Sequence, residues 1–304
     1  MKLKLGTRGS DLARTQATTV ARGLAAAGCE AELVIIRTAG DQSSAPSFGS
    51  IGPQGVFVRE IEQALVDGEV DLAVHSFKDL PTRSPPELLV AAVPARRDAA
   101  DVLLVRKEAY TGDAAALLPL VDGARVGTAS ARRRVWLRHF RPDLAAAPLR
   151  GNVPTRIRRL GDGDFDAILL AAAGIDRLRE DSGVLETVLA GLVVRRLDPE
   201  RFVPAPAQGA LAVQCRRDRE DVIAALAALD DAPSRTAVAA ERDVLARAEG
   251  GCEIAFGAHC LGHAGAYELV AMHERAGRVV TARARGADPA ALGAAAWRKL
   301  GEGA

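Results

Sequence analysis

Short apolar runs that end in a turn and pass into a helix recur through the first two thirds of this chain. That alternation limits its fold more than any other feature. Lys2–Thr7 alternates as a strand, Arg8-Gly9-Ser10 turns, and a helix is expected over Asp11–Ala27 with Ser10 as its N-cap. Glu32–Arg37, Asp71–His75 and Leu88–Val93 read as further strands, and Val56–Val66 carries apolar residues at helical spacing. After the charged break Arg96-Arg97-Asp98 the pattern resumes with a strand at Asp101–Arg106. Arg125–Gly127 then leads into a helix from Ser130, Ala146–Leu149 into a helix after Asn152, and Asp166–Leu170 into a helix near Ala173. Strands alternating with helices predict an α/β fold of mixed, mainly parallel sheets with right-handed crossovers.

At 304 residues the chain is too long for one ordinary core. Three domains are expected: 1–97 with 198–216, then 98–197, then 217–304. Pro204-Ala-Pro206-Ala-Gln208-Gly209 reads as the connector, and Ala210–Gln214 as a strand returning to the first domain. From about Asp218 the character changes to two alanine-rich helices, a Gly-Gly-Cys turn at Gly250–Cys252, strands at Tyr267–His273 and Arg278–Gly286, and a last helix from Asp288. That composition predicts a small α+β domain.

Lys+Arg 40 against Asp+Glu 39 leaves a net charge of +1, so any anion site must come from local clustering. Nearly all the cations are arginine, whose planar fork matches carboxylates and phosphates. Aromatic content of 4% leaves few stacking platforms, so no nucleic-acid partner is expected. The N-terminus reads as a strand and not a signal peptide, and no run reaches the ~18 apolar residues of a membrane helix. Four scattered cysteines suit a reducing cytoplasm. Cys252, His259, Cys260 and His263 fit no common zinc spacing, and no metal is expected.

Three strand-to-helix turns combine hydroxyls with arginines: Arg8 and Ser10; Thr128, Ser130, Arg132 and Arg133; Arg150, Asn152 and Arg156. Free N–H groups at a helix start favour anions before any side chain is counted. Singly, each turn fits a capped helix with solvated arginines. Three of one chemical type on strand ends of two domains predict a cleft for several carboxylates or phosphates. Val74-His-Ser-Phe-Lys78-Asp79-Leu-Pro81 puts a lysine and an aspartate side by side at another strand end, where Pro81 opposes a direct run into a helix. Two readings fit it: a surface ion pair, or a site in which Asp79 stabilises a cation or moves a proton and Lys78 holds an anion. Cys252 behind Gly250-Gly251 likewise fits either a lifted nucleophile or attachment point, or a small buried residue as Cys29 and Cys215 read. Thr38–Gly55, rich in Gly, Ser and Pro, is long enough for a lid.

Taken together these segments resemble the porphobilinogen deaminase (hydroxymethylbilane synthase) family of tetrapyrrole biosynthesis. The resemblance runs from Leu5 to about Gly257 through Thr7-Arg-Gly-Ser10, His75-Ser-Phe-Lys-Asp-Leu-Pro81, Gly127-Thr-Ala-Ser-Ala-Arg-Arg133, Leu149-Arg-Gly-Asn-Val153, Ala172-Ala-Gly174, Gln208-Gly-Ala210 and Glu249-Gly-Gly-Cys252. It implies two domains like those of type II periplasmic binding proteins plus a third α+β domain. It also implies a dipyrromethane cofactor joined to Cys252 through a thioether. Four porphobilinogen units add to it head to tail, each losing ammonia, before hydrolysis releases hydroxymethylbilane. Every pyrrole carries an acetate and a propionate. Lys78, Thr128, Ser130, Arg132, Arg133 and Arg150 match family positions on the cofactor side, and Arg8, Ser10, Arg156, Arg177 and Gln208 positions on the substrate side. Asp79 matches the catalytic aspartate that serves the pyrrole nitrogens through a cationic intermediate. The expected enzyme is cytoplasmic and monomeric, with transient contact to the next pathway enzyme and no metal, nucleic acid or membrane. Four positions depart from the pattern: Gln54 and Arg59 for frequent lysines, Ala207 for a usual glycine and Ala255 for a usual proline. Two alternatives are a non-catalytic anion-binding module of periplasmic type and a homologue that has lost the cofactor.

Overall fold

A computed structural model describes residues 1–37, 55–181, 184–248, 254–263 and 265–302. By contact the chain divides into two compact units. Among the described residues the first holds Met1–Arg97 and Ala210–Ala239, and the second holds Asp98–Gly209 and the chain from Ala240 onward. The crossing expected at Arg96-Arg97-Asp98 falls between Arg97 and Asp98.

With elements numbered in chain order, the first unit is built on strands β1 (Lys2–Thr7), β2 (Glu30–Ile35), β3 (Leu72–Ser76), β4 (Leu88–Ala92) and β10 (Leu211–Arg216). They lie in the order β2-β1-β3-β10-β4. β1 is parallel to β2 and β3, and β10 is antiparallel to β3 and β4. Strand side chains alternate between faces. Leu3, Leu5, Leu72, Val74, Val213 and Cys215 therefore share a core with α1 (Asp11–Ala26) and α7 (Glu220–Leu226). Ala73 turns to the other face, with Ile61, Ala64 and Leu65 of α2 (Gly55–Val66).

The second unit repeats the scheme. β5 (Asp101–Arg106), β6 (Arg125–Gly127), β7 (Ala145–Ala147), β8 (Ala167–Ala171) and β9 (Leu192–Arg196) take the order β7-β6-β8-β5-β9. Here β6 is parallel to β7 and β8, while β5 is antiparallel to β8 and β9. Both sheets thus have three parallel strands, one inserted antiparallel strand and an outer strand. That is the arrangement of a type II periplasmic-binding-protein domain. The helices are α3 (Ala131–Phe140), α4 (Val153–Gly161), α5 (Ala172–Asp181) and α6 (Val184–Leu189). Trp136 lies among Leu103, Val126, Leu169, Phe202 and Val203, and its Nε1 donates to the Val203 carbonyl at 3.1 Å. Phe202 and Val203 thus complete this core, so residues 198–209, expected in the first domain, sit with the second unit. The return begins at Ala210.

A three-stranded antiparallel sheet follows: β11 (Phe256–His263), β12 (Ala266–Arg275) and β13 (Arg278–Gly286). Its covering helix α9 (Pro289–Glu302) buries Leu292, Ala296 and Leu300. Helix α8 (Ala232–Arg247) spans the division between the units, which falls after Ala239. β9 and β11 were not expected from the sequence. In β11 the buried residues include the small Ala258 and Cys260, and glycines stand at 257 and 262, so no large-apolar alternation shows. Among the described residues no helix is long and apolar enough to cross a membrane.

Candidate active site

In the first unit β1 and β3 are parallel neighbours, so their C-terminal ends share one sheet edge. Beyond β1, Ser10 caps α1, its Oγ accepting from Ala13 N at 3.4 Å, and the buried Thr7 donates to the Ala13 carbonyl at 3.1 Å. Arg8 lies between them, part-exposed. Beyond β3 the chain enters a single 3-10 turn, Phe77–Asp79. A helix goes no further because Leu80, preceding Pro81, is extended at φ −78, ψ 129. Ser76 Oγ meets Gln16 Nε2 of α1 at 2.9 Å, and Phe77 N donates to the Ala210 carbonyl of the returning chain at 3.1 Å. Lys78 and Asp79, both part-exposed, are thus delivered by a turn whose backbone is fixed at both ends.

Behind that turn is a buried polar cluster. Gln214 Nε2 donates to Glu62 Oε1 at 2.9 Å and to Ser84 Oγ at 3.2 Å, and the Gln214 side chain neighbours His75 across the β3/β10 ladder. Burial pushes the His75 imidazole down to about 4, although a hydrogen bond to Gln214 pulls the other way. The folded protein therefore keeps His75 neutral at pH values where the unfolded chain has already bound a proton. Stability from this group is lost as pH falls from ~6.5 to ~4, by about 3 kcal/mol at most. Burial raises the Glu62 carboxyl, so its contribution runs the opposite way and is lost as pH rises. Urea unfolding followed between pH 7 and pH 4 should show an acid-side loss that is smaller in His75→Asn. Equal pH slopes in the two proteins would place the sensitivity elsewhere.

The second unit presents the same kind of edge. β7, β6 and β8 are parallel neighbours, and their C-terminal ends lead into α4, α3 and α5. Thr128 is buried and its Oγ1 accepts from Ser130 N at 3.2 Å; Ser130 caps α3 by accepting from Arg133 N at 3.4 Å. Arg150 is exposed, Gly151 takes the left-handed φ of 110° that the turn needs, and Asn152 caps α4 through Thr155 N at 2.9 Å. Arg156 Nε donates to the Gly151 carbonyl at 2.7 Å.

One residue the sequence reading did not single out organises this edge. Asp101 opens the antiparallel strand β5 opposite Ala171, the last residue of β8, so it starts where the parallel strands stop. It is fully buried. Arg132 Nη1 reaches Asp101 Oδ2 at 2.7 Å, and Arg133 Nε and Nη2 reach Oδ1 at 3.0 and 2.6 Å. Burial alone would raise the Asp101 carboxyl. The charges of Arg132 and Arg133 overturn that and hold it far below the usual carboxylate range. Arg132 and Arg133 are 4% and 6% exposed, so they lie inside this edge. Gln208, 1% exposed, donates to the Ala99 carbonyl at 2.8 Å and to Asp101 Oδ1 at 3.1 Å, which puts its amide against the cluster. The buried Arg177 donates to the Gly209 carbonyl at 2.8 Å. A single aspartate opening an otherwise apolar strand was the available signal for Asp101. Cys252, Gln54 and the expected lid up to Gln54 lie outside the described residues.

The family model "Porphobilinogen deaminase, dipyromethane cofactor binding domain" matches residues 3–224. This chain belongs to the porphobilinogen deaminase family. It is 49% identical over 256 residues to porphobilinogen deaminase of Mycobacterium leprae (strain TN), covering 84% of this chain and 76% of that one. With porphobilinogen deaminase of Nocardia farcinica (strain IFM 10152) it shares 46% identity, over 84% and 69% of the two chains. Among solved structures it is similar to the periplasmic VFT2 domain of Bordetella pertussis BvgS, at 16% identity and a TM-score of 0.43 over 75% and 86% of the two chains. It is likewise similar to an ancestral cationic amino acid solute binding protein, at 14% identity and a TM-score of 0.45 over 75% and 88%. The fold rests on the strand orders above and not on these two likenesses.

A porphobilinogen deaminase carries a dipyrromethane with acetate and propionate arms, and the second unit's edge suits such a group. Two guanidiniums, Arg132 and Arg133, meet one carboxylate, Asp101, leaving one positive charge in excess. Arg132 Nε is buried without a hydrogen-bond partner. A buried donor and an unbalanced cation are each costly alone, and a carboxylate brought within their reach would offset both.

Proposed function

We propose that this chain condenses four porphobilinogen molecules head to tail, losing one ammonia at each step, on a dipyrromethane held by Cys252, and then releases hydroxymethylbilane by hydrolysis. The observation that carries the reading is the Phe77–Asp79 turn, which presents a lysine and an aspartate together at the strand-end edge that also holds Arg8 and Ser10.

At that turn the Asp79 carboxylate accepts hydrogen bonds from pyrrole N–H groups and offsets the positive charge that develops as ammonia leaves the substrate. Lys78 donates to an acetate or propionate beside it. Arg8 and Ser10 hold substrate carboxylates at the end of β1. Thr128, Ser130, Arg132, Arg133 and Arg150 hold the cofactor's arms, while Arg156 and Arg177 serve incoming units. Gln208 acts from inside, by steadying Asp101. When bound, the dipyrromethane supplies the nucleophilic pyrrole carbon. The same reading puts the enzyme in the cytoplasm as a monomer passing its product to the next enzyme; the buried thiols of Cys29 and Cys215 suit a reducing compartment.

Intact-mass measurement tests it. Protein purified from a haem-making host is expected to carry an adduct of dipyrromethane size, absent in Cys252→Ser. An unmodified wild-type chain would overturn the reading.

A further inference from the structure

Glu241 of α8 is fully buried, and both of its oxygens accept backbone hydrogen bonds. Oε2 takes the N–H of Ala207 at 2.7 Å, and Oε1 the N–H of Cys260 at 2.8 Å. A carboxylate in such a place persists when charge-assisted bonds replace its lost hydration. Ala207 is itself unusual, with a φ of 61° at a fully buried position. A residue with a Cβ seldom occupies this left-handed region, and the surroundings must hold it there.

The two residues that follow carry the anion-binding edge. Gln208 donates to Asp101 Oδ1 at 3.1 Å, and Gly209 offers its carbonyl to Arg177 Nη2 at 2.8 Å. Three consecutive residues therefore connect Glu241, the Asp101–Arg132–Arg133 cluster and Arg177. If Ala207 relaxed to an extended conformation, the chain direction would change at that point, and Gln208 and Gly209 would leave their partners.

We infer that Glu241 is a positioning residue for the arginine edge of the second unit: it holds Ala207 left-handed and so keeps Gln208 on Asp101 and Gly209 on Arg177. This rests on the reading that those arginines hold the carboxylates of cofactor and substrate. Through Cys260 the same carboxylate anchors β11, the strand that follows Cys252 in the chain.

The test uses holoenzyme. Glu241→Gln keeps the size of the side chain but offers one carbonyl oxygen for two N–H groups, and its own NH2 must face one of them. Amide hydrogen exchange at Ala207 or Cys260 is expected to quicken about tenfold or more, and KM for porphobilinogen to rise about tenfold, with a smaller change in kcat. Adding Ala207→Gly, which accepts the left-handed conformation without an anchor, should recover at least half of that loss on a logarithmic scale. Wild-type exchange and KM in Glu241→Gln, or no recovery in the double variant, would overturn the inference. Should Glu241→Gln fail to fold, Glu241→Asp, with the charge on a shorter arm, is expected to show the same rise in KM and the same recovery, and an unchanged KM would again overturn it. A wild-type protein with neither dipyrromethane nor turnover would strike the underlying function instead.

Discussion

Asp79→Ala is expected to give a folded protein with almost no turnover. The turn that carries Asp79 is held by Phe77 N on the Ala210 carbonyl and by Leu80 N on the Phe77 carbonyl, and neither bond uses the carboxylate. A wild-type circular dichroism spectrum would show that the substitution leaves the fold in place. Positioned acid–base groups and charge stabilisation contribute roughly 10²–10⁴-fold each, so kcat should fall by at least about 100-fold. Asp79→Glu keeps a carboxylate on an arm one methylene longer and should retain part of the activity. An alanine variant within a few-fold of wild-type kcat would remove Asp79 from the chemistry.

Asp101→Ala should have the largest effect on stability. Arg132 and Arg133 would be left almost fully buried with no counter-charge, and removing one partner of such a cluster costs about 3–5 kcal/mol. Net folding stabilities are only ~5–15 kcal/mol, so poor solubility or a denaturation midpoint far below the wild type is the expected outcome. Asp101→Asn keeps the shape and loses the charge, and should also fall well short of wild type. Because its carboxyl is held far below the ordinary range, the stability Asp101 confers is fully present above pH ~4 and lost only as pH falls further. An unchanged midpoint in Asp101→Asn at pH 7 would show that charge does not hold the two arginines.

Local chemistry was legible in the sequence. Ser10 caps the helix it was expected to cap, and helices start at Ser130 and after Asn152 as expected, because a cap depends on residues only three positions apart. Ala210–Gln214 was read as a strand returning to the first domain, and β10 pairs with β3 and β4. What could not be read were pairings between distant side chains. Asp101 lies 31 residues from Arg132, and Glu241 lies 34 from Ala207 inside an alanine-rich helix where it looks like a solvated face residue. Arg132 and Arg133 were read as ligands because arginine at a helix start suggests one. The sequence contains nothing to show that much of their donor capacity goes to an aspartate on β5, two strands from β6 in the sheet. Gln208 was placed on the substrate side by the family resemblance; in the structure it is 1% exposed and donates to Asp101 Oδ1, a pairing that its motif does not show.

The strand orders also bear on how the polypeptide assembles during synthesis. Every strand of the second sheet comes from one continuous stretch, Asp101 to Arg196. The first sheet needs β10, at Leu211–Arg216, inserted between β3 and β4, which leave the ribosome more than a hundred residues earlier. A nascent chain that has reached Gly209 can therefore hold a finished second sheet while the N-terminal one still has two unpaired strand edges. The sheet that carries Asp79 is begun first and finished only after the second sheet, and its open edges need protection in the interval.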